Sequence, residues 1–271
     1  MSVRTPRTAR AAASFAAYVL HRYDWSESSL ILDLFTREQG RLAVAAKGAK
    51  RPYSQLRSVL LPFQRITVSL GKLAAQGEGA SDVQTLRGAE WAGGAAMLTG
   101  AALFSGFYLN ELLMKLLARH DPHEMLFDAY AATLTELAAS DETQAQAALR
   151  AFELTLLQEI GLLPDLSLVT QTQQPVRLEG TYALRPETGV ADVQGADEAL
   201  RGDALIGLQA ALQHGSLPAL RQACRPCLPE LKVALRGMIQ QQLGTTPLRT
   251  RQALLDLQAL QPGRAPMTEN P

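Results

Sequence analysis

The sequence predicts an α+β protein in which a small β-barrel is followed by an α-helical domain with a hairpin-like insert. Three features of the pattern predict this organisation. The first ninety residues contain short apolar runs of strand length, separated by turn residues. From Gly93 onward, apolar residues recur at three- and four-residue spacing, which is typical of helices. The helical pattern lapses between about residues 164 and 196, where Pro, Thr, Gln and Gly dominate.

Five strands are predicted in the barrel, each a short run of apolar or β-branched residues. Their ranges are 17–20, 29–36, 41–46, 66–70 and 83–86, with residues 37–40 as a hairpin turn between the second and the third. A long connection follows the third strand. This order favours an OB-fold over residues 15–90, a five-stranded barrel that binds oligonucleotides. A small barrel without a ligand fits the same strand count.

Helices are predicted over residues 91–260, apart from the insert at 164–196. One carries the apolar face Leu109–Leu116, one follows Pro122, and one ends at Gly161. In the insert, residues 176–178 are expected to pair with 182–184 as a hairpin. Helices then resume near Asp197 and cover 228–243 and 247–257. Residues 1–14 are predicted to form a flexible basic tail and residues 261–271 a second flexible tail.

The composition is that of a globular protein. Hydrophobic residues make up 47% of the chain and charged residues 19%, which provides enough apolar surface for two cores. Two cysteines exclude a disulfide scaffold and fit a reducing cytoplasm. The longest uncharged stretch, residues 91–110, is long enough for a membrane span but contains four glycines. We therefore interpret it as a buried helix and expect a cytoplasmic protein.

Positive charge is concentrated at the start of the chain. The 26 basic and 26 acidic residues give a formal net charge of zero. Residues 1–90 nevertheless hold 13 of the basic and only 7 of the acidic residues, a net charge of +6, whereas residues 91–271 carry −6. This asymmetry predicts two domains with different partners, the first of them a polyanion.

The connection after the third predicted strand is basic. It runs Lys47-Gly48-Ala49-Lys50-Arg51-Pro52-Tyr53-Ser54-Gln55-Leu56-Arg57 and contains no acidic residue. Its glycine and proline stop the strand from continuing, so four cations are displayed where each can neutralise a phosphate and release a counterion. Tyr53 either stacks on a base or packs locally. The alternative for the whole loop is a solvated run of charge.

Motifs in a fixed order across both domains resemble a known family. In the first domain they are Tyr18-Val19-Leu20-His21, Trp25-Ser26-Glu27-Ser28-Ser29-Leu30, Leu34-Phe35-Thr36, Gly40-Arg41, Ala46-Lys47-Gly48-Ala49-Lys50, Leu61-Pro62-Phe63, Leu86-Arg87 and Ala89-Glu90. In the second they are Phe107-Tyr108-Leu109-Asn110-Glu111-Leu112-Leu113, Leu149-Arg150-Ala151-Phe152-Glu153-Leu154 and Pro247-Leu248-Arg249-Thr250-Arg251. Together they resemble the bacterial RecO family, specifically its zinc-free branch.

The resemblance implies a DNA repair and recombination mediator and not an enzyme. Such proteins bind single- and double-stranded DNA, anneal complementary strands, engage the acidic C-terminal tail of the single-strand-binding protein, and join RecR to load recombinase. A nucleoid-associated location follows from this role. The candidate DNA contacts are the loop residues Lys47, Lys50, Arg51 and Arg57, together with Arg41 and Arg87 at the ends of neighbouring strands.

A candidate site for the acidic tail lies on the third predicted helix. Arg150 is the only cation of a mostly apolar helix, beside Leu149 and close to Phe152. An acidic peptide that ends in a hydrophobic residue needs an apolar pocket with a cation at its lip. The alternative is a surface arginine that pairs with Glu153, one turn further along.

Neither a metal nor another cofactor is expected. Zinc-bearing relatives carry two Cys-x-x-Cys pairs after the third helix, whereas residues 167–175 of this chain contain no cysteine. Cys224 and Cys227 form the only such pair, which we interpret as structural, with a redox or intermolecular metal site as the alternative. His120 and His123 could ligate metal, but the sequence between them also has the form of a helix start.

An OB-fold RNA-binding protein and a DNA nuclease remain alternative functions. The four histidines are mostly scattered, and no Gly-x-Ser-x-Gly, Walker or Rossmann motif occurs. Distance in sequence does not exclude that catalytic residues meet in space. Incubation with labelled strands and magnesium separates the classes, because shortened products indicate an enzyme and faster duplex formation indicates an annealing protein.

Overall fold

The computed structural model describes residues 14–71, 82–93, 97–139, 141–193, 199–245 and 247–259. The chain divides into two compact units, one of Met1–Ala95 with Ala118–Glu124 and the other of Ala96–Leu117 with Met125–Pro271. The sequence predicted a single domain boundary near residue 90, whereas the short segment Ala118–Glu124 also belongs to the first unit. The predicted tails, apart from Ser14, and the helix restart at Asp197 lie outside the described residues.

A closed five-stranded barrel forms the first unit. Its strands are β1 (Ser14–Asp24), β2 (Leu30–Thr36), β3 (Gly40–Ala46), β4 (Arg65–Leu70) and β5 (Val83–Trp91), in the order β1-β2-β3-β5-β4. Antiparallel pairing of β1 with β4 closes the barrel, and β3 pairs with β5 in parallel. A one-turn helix, α1 (Leu56–Val59), lies in the connection from β3 to β4. This topology confirms the predicted OB-like fold.

Alternating apolar side chains fill the barrel. The inward residues of β2 and β3 include Leu32, Leu34, Leu42 and Val44, all fully buried. β1 extends beyond the predicted range at both ends, and its last four residues, His21 to Asp24, are exposed yet stay paired with β2 beyond a register shift. An exposed strand end lacks the apolar alternation from which strands are recognised. β5 likewise continues past residue 86 to Trp91.

The turn between β2 and β3 requires a glycine. Gly40 has a φ of +67°, and a Cβ at this position would lie 1.9 Å from the carbonyl oxygen of Asp121. The Thr36 hydroxyl donates to the Gly40 carbonyl at 2.8 Å, and the His120 amide donates to the Arg41 carbonyl at 3.0 Å. Gly40 therefore permits the close approach of the segment Ala118–Glu124 to the barrel.

Helices make up most of the second unit. They are α2 (Gly100–Leu116), α3 (Glu124–Ala139), α4 (Glu142–Glu159), α5 (Gly202–Gln213), α6 (Leu217–Cys224), α7 (Leu228–Leu243) and α8 (Arg249–Ala259). α4 begins at an aspartate cap, where the Asp141 carboxylate accepts the Gln144 amide at 2.8 Å. The uncharged stretch 91–110 contributes to α2 only from Gly100 onward. In the described part of the chain, no helix has the length and apolarity needed to cross a membrane.

The insert contributes two strands to a three-stranded antiparallel sheet whose third strand follows it, and the hairpin partner predicted for residues 182–184 was wrong. The strands are β6 (Thr181–Arg185), β7 (Gly189–Asp192) and β8 (Leu200–Arg201), in the order β7-β6-β8. Residues 176–178 are not a strand, because the Val176 amide bonds to the Ser167 carbonyl and the Arg177 amide to the Tyr182 hydroxyl. The hairpin turn lies after β6, where Gly189 adopts a φ of +64°.

Candidate nucleic-acid interface and peptide groove

The basic loop between β3 and β4 is held on the barrel at both ends. Ala49 and Leu60 are each 1% exposed and belong to the barrel core, with Leu56 packed against it. The Lys50 amide donates to the Ser28 carbonyl at 3.0 Å, which ties the loop to the connection between β1 and β2. Small and apolar residues therefore anchor the loop on the barrel.

Three of the four loop cations are exposed. Lys47, Arg51 and Arg57 are exposed, and no carboxylate among the described residues pairs with them. Lys50 is half-buried, and its Nζ lies 3.1 Å from Asp24 Oδ1. Lys50 and Arg57 also line a cleft of about 510 Å³ together with Arg22. The loop thus presents a positive surface in which one charge is already compensated.

Arg41 lies near the start of β3, as the sequence predicted, whereas Arg87 does not lie at the end of its strand. The Arg41 side chain is only 14% exposed, and its Nε lies 3.4 Å from Asp33 Oδ1, an oxygen that is also 3.9 Å from Arg119 Nη2. Burial lowers the pKa of Arg41, and the positive Arg119 lowers it further, against the opposite effect of Asp33. Arg87 is exposed but lies in the middle of β5 and not at its end. Arg41 is therefore a largely buried, paired residue on β3, and Arg87 remains an outward cation.

Exposed aromatic side chains lie in the loop, near the end of β1 and in the connection from β1 to β2, and sequence reasoning identified only one of them. Tyr53 is 99% exposed, so the alternative of local packing was wrong. Trp25, in the connection from β1 to β2, is 56% exposed, and Tyr23, near the end of β1, is 46% exposed. In OB-folds this first connection and the β2–β3 face bind ligands, and that rule could have pointed to Trp25 from the sequence. Exposed rings of this kind can stack on bases.

A groove of about 700 Å³ lies within the helical unit. Helices α2, α4, α7 and the start of α8 line it, with apolar side chains such as Leu149, Ile239 and Leu248. Tyr108, Arg150 and Glu153 also line it and form one network. The Tyr108 hydroxyl donates to Glu153 Oε1 at 2.8 Å, and Arg150 Nη2 donates to the same oxygen at 2.7 Å.

Arg150 lies in this groove but does not protrude from its lip. Arg150 does pair with Glu153, as the alternative of a surface ion pair required, but the pair is buried: the side chain of Arg150 is 7% exposed and that of Glu153 is 1% exposed. Burial raises the pKa of Glu153, while Arg150, the Tyr108 hydroxyl and Lys232 lower it. Leu149 lines the groove as predicted for a pocket residue, whereas Phe152 is fully buried, with its ring 6.3 Å from that of Tyr130, and does not line the groove.

The exposed cations of the groove come from α7 and α8. Lys232, Arg236 and Arg251 are exposed and line it, and Glu142 is the exposed acidic residue among its lining residues. Sequence reasoning missed these three cations because they come from helices far along the chain from α4. The groove is therefore locally positive within a part of the chain that carries net negative charge.

The cysteine pair is buried. Cys224 and Cys227 are both free thiols, and the Cys227 Sγ faces the Cys224 carbonyl at 3.6 Å. Burial, and to a smaller degree the negative charges of Glu230 and Asp203, raise the pKa of the Cys227 thiol to about 11. Burial also raises the pKa of the Cys224 thiol. Within the described ranges, no group of three or more His, Cys, Asp and Glu side chains is arranged to hold a metal. The zinc-free character of the chain stays a prediction.

Comparison with known families identifies two matching domain models. The model described as recombination protein O N terminal matches residues 12–93, and the model described as recombination protein O C terminal matches residues 97–252. Their boundary coincides with the change from barrel to helices.

Curated relatives match over nearly their whole length, and each is named DNA repair protein RecO. The one from Polaromonas naphthalenivorans (strain CJ2) is 51% identical over 246 residues, which cover 90% of this chain and 96% of that protein. The one from Verminephrobacter eiseniae (strain EF01-2) is 50% identical over 254 residues, which cover 93% of this chain and 99% of that protein. The one from Acidovorax ebreus (strain TPSY) is 49% identical over 265 residues, which also cover 93% of this chain and 99% of that protein.

Proposed function

This chain belongs to the RecO family of DNA repair proteins, and from that premise we propose that it binds DNA through its barrel and anneals complementary single strands. We further propose that it helps to load recombinase on strands coated by single-strand-binding protein. In this role it is a binding protein without catalytic activity, and RecR is a second protein partner. The observation that carries the DNA-binding proposal is the exposed, barrel-anchored loop with Lys47, Arg51 and Arg57.

The physical argument for DNA binding is electrostatic. A phosphate backbone attracts cations that are exposed and not already neutralised, because each contact releases a counterion. Lys47, Arg51 and Arg57 meet this condition among the described residues, and Arg87 adds an outward cation on β5. Lys50 contributes less, since Asp24 lies 3.1 Å from it. Arg41 supports the face of the barrel through Asp33 more than it contacts phosphate directly.

Annealing follows from the same surface if it holds two strands at once. Neutralised phosphates repel each other less, so complementary strands bound side by side pair faster. Exposed rings at Tyr53 and Trp25 favour single strands, whose unpaired bases they can stack on. A fluorescence assay with two complementary labelled strands tests this, and faster duplex formation at unchanged strand length is the expected result.

The same assay distinguishes the competing functions. Shortened strands in the presence of magnesium would identify a nuclease and refute the proposal of a binding protein. Tighter binding to RNA than to DNA of equal sequence would favour an RNA-binding OB-fold. Recombinase loading is tested separately, by adding RecR and recombinase to strands coated with single-strand-binding protein, with and without this chain.

The helical groove is proposed to bind the acidic tail of the single-strand-binding protein. Three exposed cations, Lys232, Arg236 and Arg251, can meet acidic side chains, and the apolar lining near Leu149 can take a terminal hydrophobic residue. Buried Arg150 neutralises Glu153 at the base, so that no uncompensated carboxylate repels the peptide. This charge distribution supports the proposal, because the helical part of the chain as a whole would repel an acidic peptide.

Titration of a labelled tail peptide, followed by fluorescence anisotropy, tests this proposal. Lys232→Ala and Arg236→Ala should each weaken binding by about two- to fivefold, the range of an exposed ion pair. Arg225→Ala removes an exposed cation that does not line the groove and should leave the affinity unchanged. Absence of binding by the unmodified chain would refute the groove as a peptide site.

A further inference from the structure

The last described helix, α8, begins without a cap of its own. Helix N termini leave backbone N–H groups unsatisfied, and a Ser, Thr, Asp or Asn side chain usually accepts them. Here Leu248 precedes the helix, and the first turn contains no acidic residue. The acceptor comes instead from α2, where Glu111 Oε1 accepts the Arg249 amide at 2.8 Å and Oε2 accepts the Thr250 amide at 2.9 Å.

Three further contacts complete this junction between α2 and α8. The Thr250 hydroxyl donates to Glu111 Oε2 at 2.7 Å, and Lys115 Nζ lies 3.2 Å from Glu111 Oε1 while it donates to the Pro247 carbonyl at 3.0 Å. Glu111 is only 6% exposed; burial raises the pKa of its carboxylate, but the hydrogen bonds from Thr250, Arg249 and Lys115 outweigh this and hold the pKa below its ordinary value. A carboxylate at a helix N terminus also interacts favourably with the helix dipole.

The α8 side of the junction lines the groove, and the α2 side lies outside it. Leu248, Thr250 and Arg251 line the groove, whereas Glu111 and Lys115 do not. The position of the start of α8 therefore decides whether an apolar side chain, Leu248, and a cation, Arg251, belong to the groove wall. Arg251 is one of the three exposed cations there, so displacement of α8 would remove a substantial part of the local positive charge.

We propose that Glu111 is a positioning residue for peptide binding, which holds the N terminus of α8 so that Leu248 and Arg251 form one wall of the groove. Lys115 supports it by holding the Pro247 carbonyl. The proposal rests on the proposed function of the groove as a site for an acidic peptide. Glu111 itself does not touch the peptide, and its effect passes through α8.

The test is titration of the full chain with the labelled acidic tail peptide. Glu111→Gln keeps the side-chain size but loses the charge, and it replaces one acceptor with an amide group that cannot accept from a backbone N–H. We expect the peptide affinity to fall about three- to tenfold, by the loss of one exposed ion pair and part of an apolar contact. Glu187→Gln, an exposed change of the same chemistry outside the groove, should leave the affinity unchanged.

A double-mutant cycle separates positioning from a general loss of stability. If Glu111 acts through Arg251, then Glu111→Gln should cost clearly less affinity in the Arg251→Ala background than in the unmodified chain. Equal losses in both backgrounds would overturn the proposal. Lys115→Met removes the bond to Pro247 while it keeps the apolar stem, and it should show the same non-additivity even if Glu111→Gln folds poorly.

The outcomes distinguish this inference from the function on which it rests. If the unmodified chain binds the peptide and both Glu111→Gln and Lys115→Met bind equally well, the groove is a peptide site but the inference is wrong. If the unmodified chain does not bind, the peptide site itself is refuted and the inference with it. Weaker binding by both variants, with a smaller effect in the Arg251→Ala background, supports it.

Discussion

Removal of the exposed loop cations should flatten the salt dependence of DNA binding. The change is a triple variant in which Lys47, Arg51 and Arg57 are replaced by alanine. These side chains project from a loop that the buried Ala49 and Leu60 anchor, so the substitutions remove charge without disturbing the barrel core. A single-strand contact contributes about 0.7 to the slope of log affinity against log salt, so the triple variant should lose about 2 units of slope.

The magnitude in affinity follows from this slope. Between about 50 and 200 mM salt, the affinity of the unmodified chain for single strands should fall about twentyfold more than that of the triple variant. Lys50→Ala should change the slope less than any of the three, because Asp24 already compensates this charge. Asp24→Asn should strengthen binding, since it leaves Lys50 available to phosphate.

The assay is fluorescence anisotropy of a labelled oligonucleotide at four or more salt concentrations. A matched control replaces Arg177, Arg185 and Arg225 by alanine, three exposed arginines of the helical unit, so that the net charge changes equally. This control should keep the slope of the unmodified chain. An unchanged slope in the loop variant, or an equal reduction in both variants, would refute the loop as the DNA contact.

Four further predictions follow from individual groups. Tyr53→Ala should weaken single-strand binding by about 1–3 kcal/mol, because it removes a ring that stacks on a base, whereas Tyr53→Phe keeps the ring and should bind as the unmodified chain does. Anisotropy titrations with a labelled single strand compare the two variants, and equal affinities would contradict stacking. Arg150→Ala should lower the free energy of unfolding in urea by about 3–5 kcal/mol, because it leaves the buried Glu153 without its cation; an unchanged midpoint would contradict this. Burial raises the pKa of the Cys227 thiol to about 11 in the folded chain, above its value in the unfolded chain. The stability that this thiol contributes is therefore present below the unfolded pKa and should be lost as pH rises through about 11. Denaturant titrations at increasing pH should show this fall in the free energy of unfolding, and Cys227→Ala should make the fall smaller. Elemental analysis of protein purified without chelator should find no stoichiometric zinc, and about one zinc per chain would contradict the zinc-free assignment.

Local patterns were sufficient for the barrel strands and most helices. Apolar alternation marked the strands wherever one face is buried, and the predicted span 228–243 coincides with α7. The pattern failed at the polar end of β1 and in the insert, where residues 176–178 look like a strand but bond elsewhere. In both places particular hydrogen bonds determine the backbone, and apolar periodicity carries no information about them.

The candidate sites depended on the fold to different degrees. Lys47, Arg51 and Arg57 could be recognised from sequence because a loop of cations without acids tends to be exposed in any fold. Their neighbour Lys50 could not be separated from them, since its partner Asp24 is 26 positions away and reaches it only after β1 and the loop come together. The same holds for Arg41, whose position beside Asp33 follows from the register of β2 and β3.

The sequence by itself determined the two-part organisation, the OB-like barrel and the placement of positive charge in the first part. These depend on composition and short-range periodicity, which the chain carries in consecutive residues. The tertiary structure alone decided which cations are neutralised, which aromatic rings are exposed, and that α2, α4, α7 and α8 enclose one groove. Glu111 and Thr250 illustrate the reason, because a helix start without a local cap is completed by a carboxylate 139 positions earlier, a contact that only folding creates.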